Sequence, residues 1–593
     1  MITIFDILSL LCGLALFLYG MEVMGDSLKK SAGSSLKTVL GKMTSSPLKG
    51  FLLGLGVTAV IQSSSATTVM VVGFVNSGTM TLLQSVGVIM GANVGTAVTS
   101  WLTALSGIGD GAEVVDALKI LKPSSWLPLL AVAGIGLLMF TKRGRKRDIG
   151  CVLLGFAVLM TGMDMMSDAM SVLKTNEGFK SILTMFENPL LGVLAGLVLT
   201  AIVQSSSASV GILQSMTTTG AITYGAAIPI VMGQNIGTCV TALISSIGAG
   251  KNGKRAALIH LYFNVIGVVV VLAGFYLLDW IFSFAFVGTA IDMWGVAIVH
   301  TVFKIISVAL IAPFYRYLEK LARLTIKDTP DEQESENLLD ERLFETPAFA
   351  VGRATEVTDA MAGIACGAFK NALALFDNYD AKEADSIRDL ESKADTYEDT
   401  LGSYLVKLSS CELNSRDSAQ ITKLLHIIGD FERISDHAVN IVESAEEMKD
   451  KKLSFSPAAQ TEIGVLRSAV EKILTLTEQA FLKNDISIAQ EIEPLEQVVD
   501  DLKDQIKLGH VLRLQKSECT IEHGFILADI LNDLERVSDH CSNIASCVIE
   551  ISAFDALDMH KYLFDVKHGN SAYDAKYKEY KKIYSIADAA KEA

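Results

Sequence analysis

Two copies of one polar tetrapeptide stand inside apolar stretches of this chain. Residues 62–65 read QSSS, and residues 204–207 read QSSS again. A glutamine amide and three hydroxyl groups cost free energy in an apolar environment unless they find hydrogen-bond partners, and lipid offers none. We therefore expect both strings to line a cavity, where hydroxyls and the free N–H groups of broken helices suit an oxyanion. Freed carbonyls, with Gln, Asn and Thr oxygens, suit a small hard cation such as sodium.

The tetrapeptides belong to a longer internal repeat. Residues 58–66 (TAVIQSSSA) return at 200–208 (TAIVQSSSA), and GANVGT returns as GQNIGT at the same interval of 142 positions. One interval kept over about a hundred residues indicates gene duplication. Serine and threonine can also do no more than let membrane helices pack closely. The paired recurrence at one fixed interval favours a binding site instead.

The elements that must position these strings are apolar segments near twenty residues long, which cross a bilayer core of about 30 Å. Full crossings are predicted at about 5–25, 82–105, 126–141, 149–171, 223–247, 257–280 and 291–317. The segments around Gln62 and Gln204 are interrupted by serines, so each is predicted to be a re-entrant hairpin. Three crossings then separate the start of repeat one (about 1–107) from the start of repeat two (about 143–249). Because this number is odd, the repeats have opposite orientation, as in secondary transporters. We therefore expect an all-α fold with a polytopic membrane transport domain at 1–325.

Basic residues fall mainly on one side of this predicted topology. That side carries the KRGRKR run at 142–147, whereas the other side has few basic residues, chiefly Lys119, Lys122, Lys174 and Lys180. The positive-inside rule places the basic loops in the cytosol. We therefore expect a multi-pass protein of the inner or plasma membrane, with its N-terminus outside and its second half cytosolic.

The strings QSSSATT at 62–68 and QSSSASV at 204–210, with the GANVGT/GQNIGT pair, resemble the type II sodium–phosphate cotransporters over about residues 1–320. The resemblance implies that the two tips form a phosphate site with sodium held nearby. The implied residues are Gln62, Ser63, Ser64, Gln204, Ser205 and Ser206. Position in the repeat extends the candidates to Ser65, Ser207, Asn93 and Asn235.

Two pairs of charged or polar residues in the predicted spans admit more than one interpretation. Glu22 and Asp164 are symmetry partners. Intramembrane carboxylates are functional by default, so they could hold a coupling cation or proton, but solvated carboxylates at the interface explain the pair equally well. His300 and Lys304 share one face of the last span and have no counterpart within the repeat, so we expect a structural role for them.

The second half of the chain contains another duplication. DFERISDHAVNI at 430–441 matches DLERVSDHCSNI at 533–544. Six helices are predicted, at about 347–378, 383–408, 415–447, 456–484, 486–513 and 518–553. Four Glu-x-x-x-Asp pairs place two carboxylates each on one helix face: Glu391, Asp395, Glu432, Asp436, Glu496, Asp500, Glu535 and Asp539. Such clusters bind divalent metals in helical bundles. The alternative is an exposed acidic face paired with Arg433 and Arg536.

The ERISDHAVNI and ERVSDHCSNI strings resemble PhoU, a six-helix regulator of phosphate uptake made of two three-helix bundles, over about residues 345–555. The resemblance implies a cytosolic PhoU-like domain whose carboxylates bind a divalent or iron-type metal. His437 and His540 are expected behind the metal ligands or in packing. An acidic linker at 326–344 precedes this domain, and a charged tail at 556–593 follows it as a loose helix or disordered segment.

These patterns predict a sodium-coupled secondary transporter of inorganic phosphate with a PhoU-like regulatory domain, and not an enzyme. A net charge of −16 argues against a nucleic-acid partner, and the absence of a G-x-x-x-x-G-K-[ST] loop disfavours an ATP-driven pump. Two alternatives stay open: a membrane-bound phosphate sensor, and a transporter of another oxyanion. The sequence does not determine the ion stoichiometry, the direction of flux, or whether a homo-oligomer or a phosphate-signalling protein is a partner.

Overall fold

The computed structural model describes residues 4–42, 46–107, 123–141, 145–172, 185–327, 339–376, 379–411, 413–552 and 571–586, with positions 176, 178, 181 and 183. These residues form helices, and no strand occurs among them. The chain divides into two compact units, Met1–Phe349 (unit 1) and Ala350–Ala593 (unit 2). The all-α prediction is therefore confirmed.

Unit 1 combines long apolar helices with short paired ones. In chain order they are α1 (Ile4–Lys42), α2 (Pro47–Ile61), α3 (Ser64–Asn76), α4 (Leu82–Gly95), α5 (Ala97–Ala104), α6 (Pro123–Phe140), α7 (Arg145–Ser171), α8 (Pro189–Val203), α9 (Ser206–Thr217), α10 (Tyr224–Gly237), α11 (Cys239–Ser245), α12 (Lys251–Phe282), α13 (Met293–Ile311) and α14 (Tyr315–Thr325).

Six segments of the described chain are long and apolar enough to cross a membrane: Ile4–Lys30, Leu82–Gly107, Lys146–Ser171, Tyr224–Ser245, Lys251–Phe282 and Met293–Thr325. They coincide with six of the seven predicted crossings, and the seventh coincides with the shorter apolar helix Trp126–Phe140. A multi-pass membrane protein is thus supported. Lys119, Lys122, Lys174, Lys180 and residues 142–144 lie outside the described residues, and the side on which the N-terminus lies stays a prediction.

Each QSSS string joins two short helices, because the sequence places a helix end and a helix start side by side. α2 ends at Ile61, and the next residue, Gln62, caps it with a left-handed φ of 61°. The Oγ of Ser63 then caps α3 by accepting from an N–H of its first turn at 3.1 Å. In repeat two, Gln204 caps α8 with φ 55°, and Ser205 caps α9 in the same way at 3.2 Å. Serine is among the favoured N-cap residues. Both predicted hairpins therefore have the same local cause.

Glycines hold each hairpin against the broken helix that follows it. α2 crosses α4 at Gly54 and Gly91, and α8 crosses α10 at Gly196 and Gly233, one repeat length later. A Cβ at any of these four positions would overlap a backbone carbonyl of the facing helix. Only glycine allows so close an approach, so the same crossing is fixed twice.

The first helices of the two repeats run antiparallel. Gly13 of α1 lies against Gly162 of α7, and Gly20 of α1 lies against Gly155 of α7, so that the order along one helix is reversed along the other. At both places a Cβ would lie within 3 Å of the facing carbonyl oxygen. This reversed packing is the arrangement that inverted repeats require.

The last part of the predicted linker packs on unit 1. A short 3-10 helix, Glu341–Glu345, lies beside α3. The guanidinium of Arg342 donates to the carbonyl of Ser245 at 2.6 Å, and Asn76 of α3 donates to Asp340 at 2.7 Å. This docked segment, residues 339–349, therefore contacts both repeats, whereas linker residues 328–338 lie outside the described residues.

The described part of unit 2 contains the six long helices that were predicted. They are α15 (Pro347–Ala374, whose first three residues belong to unit 1), α16 (Ala381–Ser409), α17 (Ser415–Asp450), α18 (Pro457–Lys483), α20 (Ile492–Gln515) and α21 (Ile521–Ser552), with the single turn α19 (Ile486–Ala489) before α20. The fifth predicted helix, 486–513, is thus interrupted after Ala489.

The charged tail includes a further helix, α22 (Ser571–Ile583), which packs on α20. Tyr577 donates to Asp501 at 2.6 Å, and Tyr580 donates to Glu491 at 2.8 Å. Two tyrosine side chains of the tail therefore hold α22 against α20. The tail residues 556–570 and 587–593 lie outside the described residues.

Candidate functional site

The two QSSS strings meet at one cavity of about 290 Å³ in unit 1. All eight residues of the strings line it: Gln62, Ser63, Ser64, Ser65, Gln204, Ser205, Ser206 and Ser207. Leu18, Met21, Glu22, Gly25, Asp26, Lys29 and Ile61 complete the lining. The structure thus brings together, from positions 142 residues apart, the side chains that the repeat singled out.

The cavity is electrically suited to an anion on one side. α3 and α9 both begin at it, so two helix N-termini direct their free N–H groups and positive dipole ends toward the same space. Neither string contains a basic residue. The lining includes one ammonium group, that of Lys29, and it lies 3.3 Å from Asp26. A multiply charged anion would therefore need a co-bound cation.

Repeat one satisfies its buried oxygens internally. Thr99 on α5 donates to the side-chain oxygen of Gln62 at 2.8 Å. Thr58 on α2 donates to the hydroxyl of Thr67 on α3 at 3.0 Å. The first bond joins the hairpin to the broken helix that follows, and the second joins the two helices of the hairpin to each other.

Repeat two has the same residues or close equivalents, but not the same bonds. The hydroxyls of Thr200 and Thr241, which correspond to Thr58 and Thr99, are buried and have no hydrogen-bond partner in the described structure. The side-chain oxygens of Gln234 and Asn235 are buried without a partner as well. Buried oxygens in this state are costly unless another group binds them.

Asn93 and Asn235 do not line the cavity. Each is placed just before a helix break, at Thr96 and Thr238. Both asparagines are buried. Of the two candidate carboxylates, Glu22 lines the cavity and Asp164 does not.

Sequence reasoning missed a pair of residues at these breaks. Asn264 on α12 accepts from the side chain of Asn235, and Lys304 on α13 donates to the backbone carbonyl of Asn93 at 2.7 Å. The signal was present in the sequence, because HLYFN at 260–264 returns as HTVFK at 300–304. Lys304 therefore has a counterpart, Asn264, although at an interval of 40 rather than 142.

The carboxylates of unit 2 do not all converge. Among the described residues, Glu496, Asp500 and Asp539 place one carboxylate oxygen each within 4.8 Å of the others. Glu535 lies beside them but is paired with Lys503 at 2.7 Å. This donor set fits a divalent metal that prefers oxygen ligands.

The matching carboxylates of the first half are more dispersed. Arg433 lies 3.5 Å from Glu432 and 3.6 Å from Asp436. Burial and the neighbouring Asp436 raise the pKa of Glu432 to about 7. The pKa of Glu391 is also raised, by burial and by the charges of Asp436 and Asp395. The described structure therefore offers its tightest oxygen cluster in the second half only.

His437 and His540 lie at the pseudo-symmetric contact between α17 and α21. His437 bonds Asp533 at 2.8 Å, His540 bonds Asp430 at 2.9 Å, and the two rings are 5.8 Å apart. Each SDH motif thus contacts the aspartate that opens the other motif. This agrees with a role behind the ligands or in packing.

Comparison with known proteins yields two family matches. A model described as Na+/Pi-cotransporter matches residues 16–168 and 159–296. A model described as PhoU domain matches residues 358–445 and 465–548.

Among individual proteins, "Putative inorganic phosphate export protein YjbB" of Escherichia coli (strain K12) is 24% identical over 554 residues, which cover 92% of this chain and 97% of that protein. "Uncharacterized protein YqeW" of Bacillus subtilis is 34% identical over 43% of this chain and 78% of its own length. "Sodium-dependent phosphate transport protein 2B" of Homo sapiens is 36% identical over 25% of this chain and 23% of its own length. The crystal structure of PhoU from Pseudomonas aeruginosa aligns over 36% of this chain and 100% of that chain, at 22% identity and a TM-score of 0.33.

Proposed function

The chain belongs to the Na+/Pi-cotransporter family and carries PhoU domains. We propose that it transports inorganic phosphate across the inner or plasma membrane and that a sodium gradient drives this transport. Transport needs no covalent chemistry, so no catalytic residue is assigned. The observation that carries the proposal is the single cavity lined by both QSSS strings.

In this proposal the tips of the two hairpins hold the phosphate. Serine hydroxyls and the first N–H groups of α3 and α9 donate to its oxygens. Gln62 and Gln204 stand at the left-handed ends of α2 and α8, where their amides can orient the anion. Glu22 lines the same cavity and would exclude a bare anion by charge repulsion unless cations accompany it.

Sodium is proposed to bind at the break in repeat two. The buried oxygens of Thr200, Gln234, Asn235 and Thr241 lack partners, and a small hard cation would satisfy them. Binding of sodium would also offset the charge of phosphate and so couple the two fluxes. Asp164 is the symmetry partner of Glu22, and we propose no separate role for it in binding.

The proposal also covers the direction of phosphate transport and its regulation. The name of the relative YjbB refers to phosphate export, and alternating access between inverted repeats works in either direction, set by the gradients. The PhoU domains are proposed to lie in the cytosol and to restrain transport. A metal held by Glu496, Asp500 and Asp539 would supply a charge that fixes α20 against α21.

The test is uptake of labelled phosphate into proteoliposomes with and without an inward sodium gradient. The Gln62→Ala/Gln204→Ala double variant should lose sodium-dependent uptake, while Gln460→Ala, an exposed glutamine in unit 2, should behave as wild type. Binding of phosphate without accumulation would contradict transport and favour a membrane-bound sensor. Faster uptake of sulfate or arsenate than of phosphate would favour another oxyanion.

A further inference from the structure

The Lys304 side chain is buried in unit 1 at the end of a broken helix. It is 2% exposed, and its ammonium group donates to the carbonyl oxygen of Asn93 at 2.7 Å and to the hydroxyl of Thr96. Among the described residues no carboxylate forms an ion pair with it. A buried ammonium normally requires a charged partner or a set of oxygens, and here oxygens alone hold it.

That ammonium lies where one helix ends and the next begins. α4 ends at Gly95 and α5 begins at Ala97, with Thr96 between them. The hydroxyl of Thr96 also donates to the carbonyl of Asn93, at 2.6 Å. Lys304 thus places its terminal nitrogen against two oxygens of this interruption, the carbonyl of Asn93 and the hydroxyl of Thr96.

The symmetric position in repeat two has no such charge. The His-x-x-Phe-Asn string on α12 places Asn264 against Asn235, as the His-x-x-Phe-Lys string on α13 places Lys304 against Asn93. Asn264 is neutral, and the side-chain oxygen of Asn235 beside it is left without a partner. The two breaks therefore have the same backbone and differ by one tethered positive charge.

We propose that Lys304 is a built-in cation for repeat one. Its ammonium takes the place that a free sodium ion would take at the break after α4, so that only the break in repeat two binds sodium. The chain would then couple each transport cycle to one free cation fewer than a fully symmetric protein would. This inference rests on the proposed sodium coupling for its meaning in transport.

The surroundings of Lys304 also distinguish the proposed role from that of a lysine that only stabilises the fold. A lysine that only stabilises the fold usually extends its ammonium to water or pairs it with a carboxylate. Lys304 does neither, and the asparagine at the matching place in repeat two shows that the fold accepts a neutral residue there. Replacing Lys304 by Asn therefore introduces the residue that already occupies the equivalent position in repeat two.

The direct test counts sodium ions bound to the purified full-length protein, with radiolabelled sodium in detergent and without phosphate. Lys304→Asn should bind about one more sodium ion than wild type, and Asn264→Lys about one fewer, because one tethered charge replaces one free ion at each break. Lys304→Arg keeps the charge and should leave the count unchanged. Equal counts in wild type, Lys304→Asn and Asn264→Lys would overturn the proposal.

Two arms keep the outcomes distinct. If Lys304→Asn fails to fold, Asn264→Lys alone decides, since a sodium count equal to that of wild type contradicts the tethered-cation role. In proteoliposomes, the sodium dependence of phosphate uptake by Lys304→Asn should steepen by about one unit of Hill coefficient. Absence of phosphate flux in wild type would overturn the proposed function but not the sodium counts, which are measured without flux.

Discussion

The two repeats of unit 1 have the same backbone and differ in how their buried oxygens are satisfied. In repeat one, Thr99 holds Gln62, and a lysine occupies the helix break. In repeat two, the matching hydroxyl of Thr241 has no partner, and a neutral asparagine occupies the break. The comparison teaches that two repeats of a transporter can keep the same arrangement of helices while the polar and charged groups at equivalent positions differ.

The largest effects should come from changes to what the repeats share. Gly91→Val and Gly233→Val each drive a side chain into a facing carbonyl, and each should lower the free energy of unfolding by more than about 3 kcal/mol. Monodisperse yield and the midpoint of thermal unfolding measure this. Gly56→Val is the matched control: no atom lies within 4 Å of a Cβ there, and repeat two already has Val198 at this place. Equal damage from all three variants would contradict the shared crossing.

The halves of unit 2 offer the same kind of comparison, since one half gathers three carboxylates and the other does not. Asp500→Asn should weaken binding of a divalent metal about tenfold or more, whereas Asp395→Asn should change it by less than about threefold. Titration of the full-length protein with manganese, followed by calorimetry, gives both numbers. If Asp395→Asn weakened binding as much as Asp500→Asn, the metal site would have to lie in the first half as well.

A smaller effect should separate Thr99 from Thr241. Thr99→Val removes the donor to Gln62 and should cost about 1 kcal/mol of stability in sodium-free buffer. Thr241→Val removes a hydroxyl that has no partner and should be neutral or slightly stabilising under the same conditions. Adding sodium should stabilise wild type more than Thr241→Val. An equal loss of stability for both variants without sodium would show that the repeats do not differ in this way.

The smallest effect is a pH dependence in the first half of unit 2. The pKa of Glu432 is raised to about 7, so its neutral form is favoured by folding. The stability that it contributes is fully present below its ordinary pKa and is lost as the pH rises through about 7. The loss should be about 1 kcal/mol, because solvent screens this partly exposed carboxyl, and Glu432→Gln should abolish it.

Hydrogen exchange of peptides from α17 measures that loss between pH 5 and 8, after correction for the intrinsic exchange rate. All four tryptophans of the chain, at positions 101, 126, 280 and 294, belong to unit 1. Fluorescence would therefore report on the wrong unit. Protection that rises with pH in wild type would contradict the assignment.

The sequence predicted most of the fold, because its determinants are local. The QSSS breaks follow from a serine cap directly after a helix end, and the long apolar segments and the Glu-x-x-x-Asp helices follow from composition and spacing. The docked segment at 339–349 was not predictable, since Arg342 binds a carbonyl that lies 97 positions away. A segment whose composition is that of an acidic linker can still contain residues that pack on the neighbouring helices.

The sequence placed the eight QSSS residues together, but it did not predict the difference between the hydrogen bonds of the two repeats. All eight QSSS residues line one cavity, and that followed from the repeat. Whether a threonine hydroxyl forms a hydrogen bond depends on distances of a few tenths of an ångström, and the residue types alone do not determine such distances. The position of Lys304 at a helix break does not follow from the repeat of 142 residues, because its counterpart Asn264 lies only 40 positions away in the sequence.

The reversed packing of Gly13 on Gly162 and of Gly20 on Gly155 also carries information about origin. A segment of half this length could form that contact only with an upside-down copy of itself. On this interpretation, an ancestor of that length would have entered the membrane both ways up. Fusion of two copies would fix one in each direction, and the predicted one-sided distribution of lysine and arginine would then follow the fusion.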